Sequence, residues 1–433
     1  MQRRACFVLL ALAAAPAAAQ STFHGDVARS GVYAGAGPRE PASVKWTFKA
    51  SGPIVTSPVI ADGIVYISSL GGHLYAIEQA TGKEKWNFKS RLPIASTAAV
   101  SGGTVYFVSS AGSLAALDAA TGRPKWVCAT EYERRFEAKG LHGYPSAAQT
   151  IPDAWDLFTS SPAVVNGKVY FGSGDGGVYA VDAASGVILW KHSTGDVVHS
   201  SPAVVGGTVY VGSWDSNLYA LDADTGAEKW VFRAGQDPAI HNQVGFQSSP
   251  CVVDGTVYIG CRDAHVYAID ALTGRKKWDY PTNKSWVIGT PAVRDGIVWV
   301  GTSDSARFMA LDAKTGRLRF NLGVKAYMFS SPALAGERAY VGDHNGKLYA
   351  VDTKTGKLAW EFQTDASKAD PLQVLNPDGS FNEEKFAPLF GDFQDMYLDF
   401  YRYVSIGAIM SSPAVDQGAV YVGSMDGTLY VLQ

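Results

Sequence analysis

The chain has 433 residues, 47% of them hydrophobic and 18% charged, with a formal net charge of -3. That balance excludes a disordered chain and leaves no basic footprint for nucleic acid. Length alone does not separate two or three small domains from one large all-β ring.

In chain order, the first element reads as a secretory leader. Arg3 and Arg4 precede a short apolar run, Cys6 to Ala14, which is too short to span a bilayer. Ala17-Ala18-Ala19 before Gln20 fits a cleavage site. Residues 1–19 are therefore expected to leave, with 20–42 as a lead-in. No Cys follows the site directly, which argues against a lipid anchor. The protein is expected to be periplasmic or otherwise exported, with no transmembrane segment once the leader is gone. The mature chain keeps Cys128, Cys251 and Cys261, an odd count that argues against a disulfide framework. Cys251 and Cys261 flank a hairpin turning at Asp254-Gly255, several rungs apart, and read as small buried hydrophobes.

From residue 43 onward one unit recurs. Ser200 to Phe232 shows it most cleanly: Ser-Ser-Pro-Ala-Val, a turn, Thr-Val-Tyr-Val-Gly-Ser, a turn, Leu-Tyr-Ala-Leu-Asp, then x-x-Thr-Gly and Lys-Trp. Pro falls at 58, 162, 202, 250, 291, 332 and 413, and Trp at 46, 86, 126, 190, 230, 278 and 360. Ala98 and Phe320 take these places in the second and sixth copies. The period, roughly 40 residues, is that of a propeller blade. Each copy reads as four short strands rich in β-branched and aromatic residues, punctuated by Gly and Asp turns. In Asp222-x-x-Thr225-Gly226 the Asp and Thr side chains suit backbone N–H groups and Gly suits a positive φ. The Trp that follows is placed to pack between neighbouring sheets, its N–H free for a carbonyl.

Eight repeats start near 57, 97, 161, 201, 249, 290, 331 and 412, and the eighth ends at its third strand. Val44 to Phe48 is a Trp strand with no third strand before it. Pairing the two closes the ring without an open edge. The fold class is therefore all-β: one eight-bladed β-propeller over 43–433, each blade a four-stranded antiparallel sheet, with the N-terminal strand completing the last blade.

The Tyr-Ala-Leu-Asp-x-x-Thr-Gly-x-x-x-Trp unit resembles the pyrroloquinoline-quinone (PQQ) repeat family. It is similar both to the tryptophan-docking repeat of quinoprotein dehydrogenases and to the propeller lipoprotein of the outer-membrane assembly machinery. The resemblance covers nearly all of 43–433 and implies the fold; one fold hosts unrelated activities. Its dehydrogenase branch implies PQQ with calcium, an adjacent Cys pair near the cofactor and acidic calcium ligands. This chain has no adjacent Cys pair and no heme-attachment Cys-x-x-Cys-His.

Insertions fall near 129–158, 236–243 and 365–409, all between blades and thus on one face of the ring. Residues 131–139 are expected to form a short charged helix, and Ser380 with Glu383 a capping box opening another. Aromatics crowd the last insertion from Phe381 to Tyr403. His142, His199, His241, His265 and His344 map to the same face. Asp175, Asp215, Asp263, Asp304 and Asp426 hold one equivalent position and read as turn formers. The candidate binding set is His199, Trp214, Asp215, His241, Gln247, Arg262 and His265, a polar-aromatic pocket at the channel mouth. No catalytic or metal-ligating residue is assigned, and no cofactor.

Two functions follow. The first is a monomeric, non-catalytic scaffold for binding or assembly, taking a protein or a small polar ligand on the insertion face. The second is a PQQ-dependent dehydrogenase-like oxidoreductase. N-terminal sequencing of the protein from its native host should give a start at or near Gln20; a start at Met1 would refute the leader.

Overall fold

The computed structural model describes residues 21–40, 42–139, 141, 150–235, 245–386 and 393–433. Among them are eight four-stranded antiparallel sheets arranged as blades. The inner strands are Val59–Ala61, Ala99–Ser101, Ala163–Val165, Ala203–Val205, Cys251–Val253, Ala292–Arg294, Ala333–Ala335 and Ala414–Asp416, here defining blades 1 to 8. Blade 8 takes its outer strand from the other end of the chain. Val44–Lys49 pairs antiparallel with Thr428–Leu432, setting Trp46 opposite Val431 and Phe48 opposite Leu429.

The repeat residues hold the seams. In Ser-Ser-Pro, the first hydroxyl accepts a second-strand amide of its own blade, as Ser200 does from Gly212 at 3.2 Å. The second accepts an amide from the preceding blade, as Ser201 Oγ does from Ser161 at 2.9 Å. This belt closes where Ser412 N–H meets Ser57 Oγ at 3.1 Å. Farther out, Trp190 Nε1 donates to the Ala223 carbonyl of the next blade at 3.1 Å, and Tyr170 OH donates to the same oxygen at 3.0 Å. Gly226 lies flat against that indole at φ +73°, where an added Cβ would stand 2.7 Å from the ring. Glycine is required there by both conformation and space.

Two seams depart from the pattern. The outer strands of blade 8 come from opposite ends of the chain, so no Asp-x-x-Thr-Gly turn joins them. Pro38 of the lead-in supplies the missing carbonyl, accepting from Trp360 Nε1 at 3.1 Å and Tyr340 OH at 3.2 Å. In blade 6 Phe320 has no N–H and stacks on Trp299 instead, with centroids 6.2 Å apart.

The lead-in also plugs the axis. Its carbonyls at Val27, Ala28, Ser30 and Gly31 accept the inner-strand amides of Val204, Val252, Val293 and Leu334 at 2.7–2.9 Å. Arg29 is fully buried and donates to the Pro202, Phe23 and Ser161 carbonyls. With the Ser21 carbonyl accepting from the Val100 amide at 2.8 Å, the backbone of this polar segment completes the inner edges of five blades.

The insertions differ from expectation in two details. Instead of a helix over 131–139, Glu137–Lys139 forms a strand paired with Thr150–Pro152. Phe136 stacks on Trp214 and its amide donates to Asp156 at 2.7 Å, so tertiary partners override local propensity. In the last insertion the helix Glu383–Phe386 is opened by Asn382, whose side chain accepts from the Lys385 amide. Ser380 bonds Asp378 instead. A longer helix follows, Phe393–Ser405.

Deleting Val44–Phe48 should abolish the single cooperative melting transition; wild-type melting would rule out this closure. Trp360→Phe keeps the ring and removes the bond to Pro38, and should cost about 1 kcal/mol in denaturant unfolding.

Candidate functional site on the insertion face

Each blade presents two variable side chains near the axis on the insertion face. One precedes the Ser-Ser-Pro segment, and the other sits in the hairpin between second and third strands. In blades 4 and 5 these are polar or aromatic: His199 with Trp214, and Gln247 with Arg262. In blades 6 to 8 and 1 the first position is apolar: Ile288, Phe329, Met410 and Val55. The mouth therefore has a polar side and an apolar side.

The first insertion supplies the acids that the polar side needs. His199 is buried, with Nδ1 2.8 Å from Asp156 Oδ1 and Nε2 2.6 Å from Glu133 Oε1. Burial disfavours the imidazolium, but the two carboxylates outweigh it and hold the pKa at about 10. Arg262 is buried too, donating from Nη1 to Asp153 at 2.5 Å and from Nε to Gln247 at 2.9 Å. Its guanidinium lies 4.4 Å from the Trp214 ring and 4.2 Å from the Trp286 ring. Phe136 covers the far side of Trp214 at 4.3 Å, extending the stack. Planar cations on indole faces gain electrostatic and dispersion energy in one contact.

The apolar side is closed by both insertions. Trp155 from the first packs edge-on to Phe400 from the last at 4.2 Å, above Phe329. Tyr403, Val404 and Ile406 continue this layer over Val55, Ile288 and Met410. His344 is fully buried within it, 4.4 Å from Phe329, and burial holds its pKa at about 3, so it is neutral. Beneath the layer, the hydroxyl-lined axial cavity has a volume of only ≈ 50 Å³. Beside the layer, between the last insertion and blades 6 and 7, lies a cavity of ≈ 520 Å³.

Four residues of the candidate set, His199, Trp214, Gln247 and Arg262, thus stand together, facing the chain's own insertion. Asp215 and His265 lie apart from them. Asp215 accepts from the Asn217 amide and Tyr219 OH, fixing its turn. Half-buried His265 bonds the Asp263 carbonyl and stacks on Tyr267. His241 falls outside the described residues. Glu133, Asp153, Asp156 and Trp155 complete the site and are not among the residues expected from sequence. Their signal was an insertion rich in acids and aromatics facing blades that carry an Arg and a His.

The described axis does not fit the quinone that the dehydrogenase resemblance implies. Ligand sites span roughly 300–1,000 Å³, several times the axial volume. The nearby carboxylates, Glu133, Asp153 and Asp156, are already paired with His199 and Arg262.

This architecture defines a propeller of tryptophan-stapled repeats whose axis is closed by its own chain. The chain belongs to the family described as outer membrane protein assembly factor BamB, whose model matches residues 38–139, 141–287 and 284–380. BamB from Moraxella catarrhalis superposes with a TM-score of 0.64 at 18% identity, covering 90% of this chain and 97% of that one. The quinohemoprotein alcohol dehydrogenase of Comamonas testosteroni gives 0.66 at 15% identity, covering 95% and 80%. At these identities both likenesses are of fold. The quinohemoprotein alcohol dehydrogenase ADH IIB of Pseudomonas putida is 33% identical over 102 residues, 21% of this chain and 14% of that protein. The curated relatives are matched over only 11% to 14% of their own length.

His199 gives a pH signature. Its folded pKa lies above the ordinary histidine value of 6.5, so its contribution to stability is full below pH 6.5. That contribution is lost as pH rises through about 10. The melting temperature should fall over that window, and Glu133→Gln should flatten the fall. Asp153→Ala, which leaves Arg262 buried without its carboxylate, should cost about 3–5 kcal/mol in denaturant unfolding.

Proposed function

We propose that the protein is an exported, non-catalytic scaffold that holds a partner on the face carrying its insertions. The observation that carries this reading is the closure of the axis. The lead-in fills one end and the two described insertions cover the other. His199 and Arg262 are paired with Glu133, Asp156 and Asp153 of the first insertion, which favours a role in holding that insertion over chemistry on an axial ligand.

In this reading His199, Trp214, Gln247 and Arg262 act through the insertion that they anchor, while Asp215, His241 and His265 belong to the surrounding rim. The outer surface then makes the contact. Tyr132, Leu372 and Leu398 on the insertions, with Leu92 on the connection after blade 1, are each 45–49% exposed. Such apolar residues on one face suit a protein partner. The family's description points the same way. No described helix is long and apolar enough to cross a membrane. Export rests on the leader at 1–19.

Tyr132→Ala with Leu398→Glu should weaken partner co-purification from the native host's envelope fraction by more than about 1 kcal/mol per site. Lys83→Ala with Lys357→Ala, beside turns of the opposite face, should leave it unchanged; the reverse pattern would assign the other face. PQQ with calcium should leave the absorbance spectrum and melting temperature unaltered. Micromolar binding would favour the dehydrogenase reading instead.

A further inference from the structure

The ≈ 520 Å³ cavity beside the axis has a composition of its own. Trp155, Tyr327, Phe381, Phe400 and Tyr403 give it aromatic walls, contributed by both described insertions and the connection entering blade 7. The rings meet mostly edge to face: Trp155 with Tyr327 at 5.8 Å, Tyr327 with Tyr403 at 6.3 Å and Phe381 with Tyr403 at 4.9 Å. Two carboxylates, Asp304 and Glu384, line the same space. Lys325 lines it too, but its ammonium is 3.3 Å from Asp378, which is not among the lining residues. His344, packed against Trp155, Tyr327 and Tyr403, adds no positive charge because burial keeps it neutral.

We infer that this cavity is a binding site for an organic cation, an alkylammonium group held over aromatic faces and balanced by Asp304 and Glu384. The inference rests on the reading of the insertion face as the binding face and names a ligand class for it. Three arguments support it. Ring faces carry negative electrostatic potential, so a cage of five rings favours a cation over a neutral group of the same shape. An anion, quinone carboxylates included, would meet two carboxylates against one already paired lysine. The walls are also largely pre-formed: Phe400 and Tyr403 are buried, and Trp155 and Tyr327 half-buried, against the core of the face. A cation therefore enters without first ordering them.

The cation can come from a free small molecule or from a lysine side chain of a partner, and the test separates them. Choline, its neutral carbon isostere 3,3-dimethylbutanol, and Nα-acetyl-lysine methyl ester are titrated into the intact protein by calorimetry. Choline should bind at least roughly fivefold more tightly than the isostere, as one desolvated cation–π contact requires. Asp304→Asn and Glu384→Gln, both at exposed positions, should each weaken choline binding several-fold. Lys325→Met should strengthen it, because a competing positive charge is removed. Tighter binding of the lysine ester than of choline assigns the site to a partner's side chain, and the opposite order to a free ligand. Equal binding of choline and its isostere, no binding of either cation, or weaker binding in Lys325→Met would overturn the inference. If the cations fail while Tyr132→Ala with Leu398→Glu still abolishes partner capture, this site is wrong and the binding face stands. If they bind while that double variant is silent, the cavity is real and the face has been given the wrong partner.

Discussion

The structure depends on one contact repeated around the ring: an indole N–H from one blade reaching a turn carbonyl of the next. A four-stranded sheet has two apolar faces and cannot bury both alone. Stacking the sheets buries them, but packing of this kind carries little directional information. The Trp supplies direction, since its N–H must find an acceptor once the ring is buried. The Gly opposite must then lack a Cβ, and the turn must present its carbonyl outward, which its Asp and Thr secure. Four residues in twelve are thereby determined by a single hydrogen bond and the surface it lies on. Where the repeat cannot supply the acceptor, at Trp360, the chain recruits Pro38 from its other end.

Such a scaffold is symmetric, and function requires breaking the symmetry. The ring does so at two positions per blade, where side chains face the mouth rather than a neighbouring sheet. Blades 4 and 5 take His199, Trp214, Gln247 and Arg262 there. Placing an arginine and a histidine inside a low-dielectric mouth costs several kcal/mol per ion unless acids accompany them. Glu133, Asp153 and Asp156 meet that demand, and in doing so fix the first insertion over the axis. The apolar half of the mouth makes no such demand and accepts the aromatic layer of the last insertion by simple burial. Polar and apolar halves thus select different insertions, which meet at Trp155 and Phe400.

The fold was legible because it is written eight times. Turn chemistry, strand alternation and the Trp position each recur, so a local ambiguity in one copy is resolved by the others. Ring closure was legible for the same reason, as an incomplete eighth copy and an orphan strand at Val44 to Phe48. The site was legible only in part. His199, Trp214, Gln247 and Arg262 stood out as departures from the repeat, and they do come together. Their partners did not stand out, because insertions have no other copy to be compared with. The expected helix over 131–139 failed on that ground: Glu133 and Phe136 answer to His199 and Trp214, residues some 60 to 80 positions away, and not to their own neighbours. The plug formed by the lead-in escaped notice because its contribution is made by backbone carbonyls, which no side-chain pattern reports.

Closing the axis has a consequence for where selectivity can reside. In an open ring the mouth is the concave site, and every blade contributes to it equally. Here the mouth is filled, and a concavity is left where filling is uneven, between the last insertion and blades 6 and 7. That location draws its walls from both insertions and its charge from Glu384 on the last insertion and Asp304 in a turn of blade 6. Asp304 occupies the turn position that Asp215 uses to fix its own hairpin through Tyr219. Met309 stands where that Tyr would be, so blade 6 has no phenol to engage the carboxylate. The same blade lacks the stapling Trp, carrying Phe320 instead. Blade 6 thus departs from the repeat at both its turn and its outer strand. Its carboxylate, left without the phenol that the repeat would assign to it, lines the cavity with the insertion aromatics.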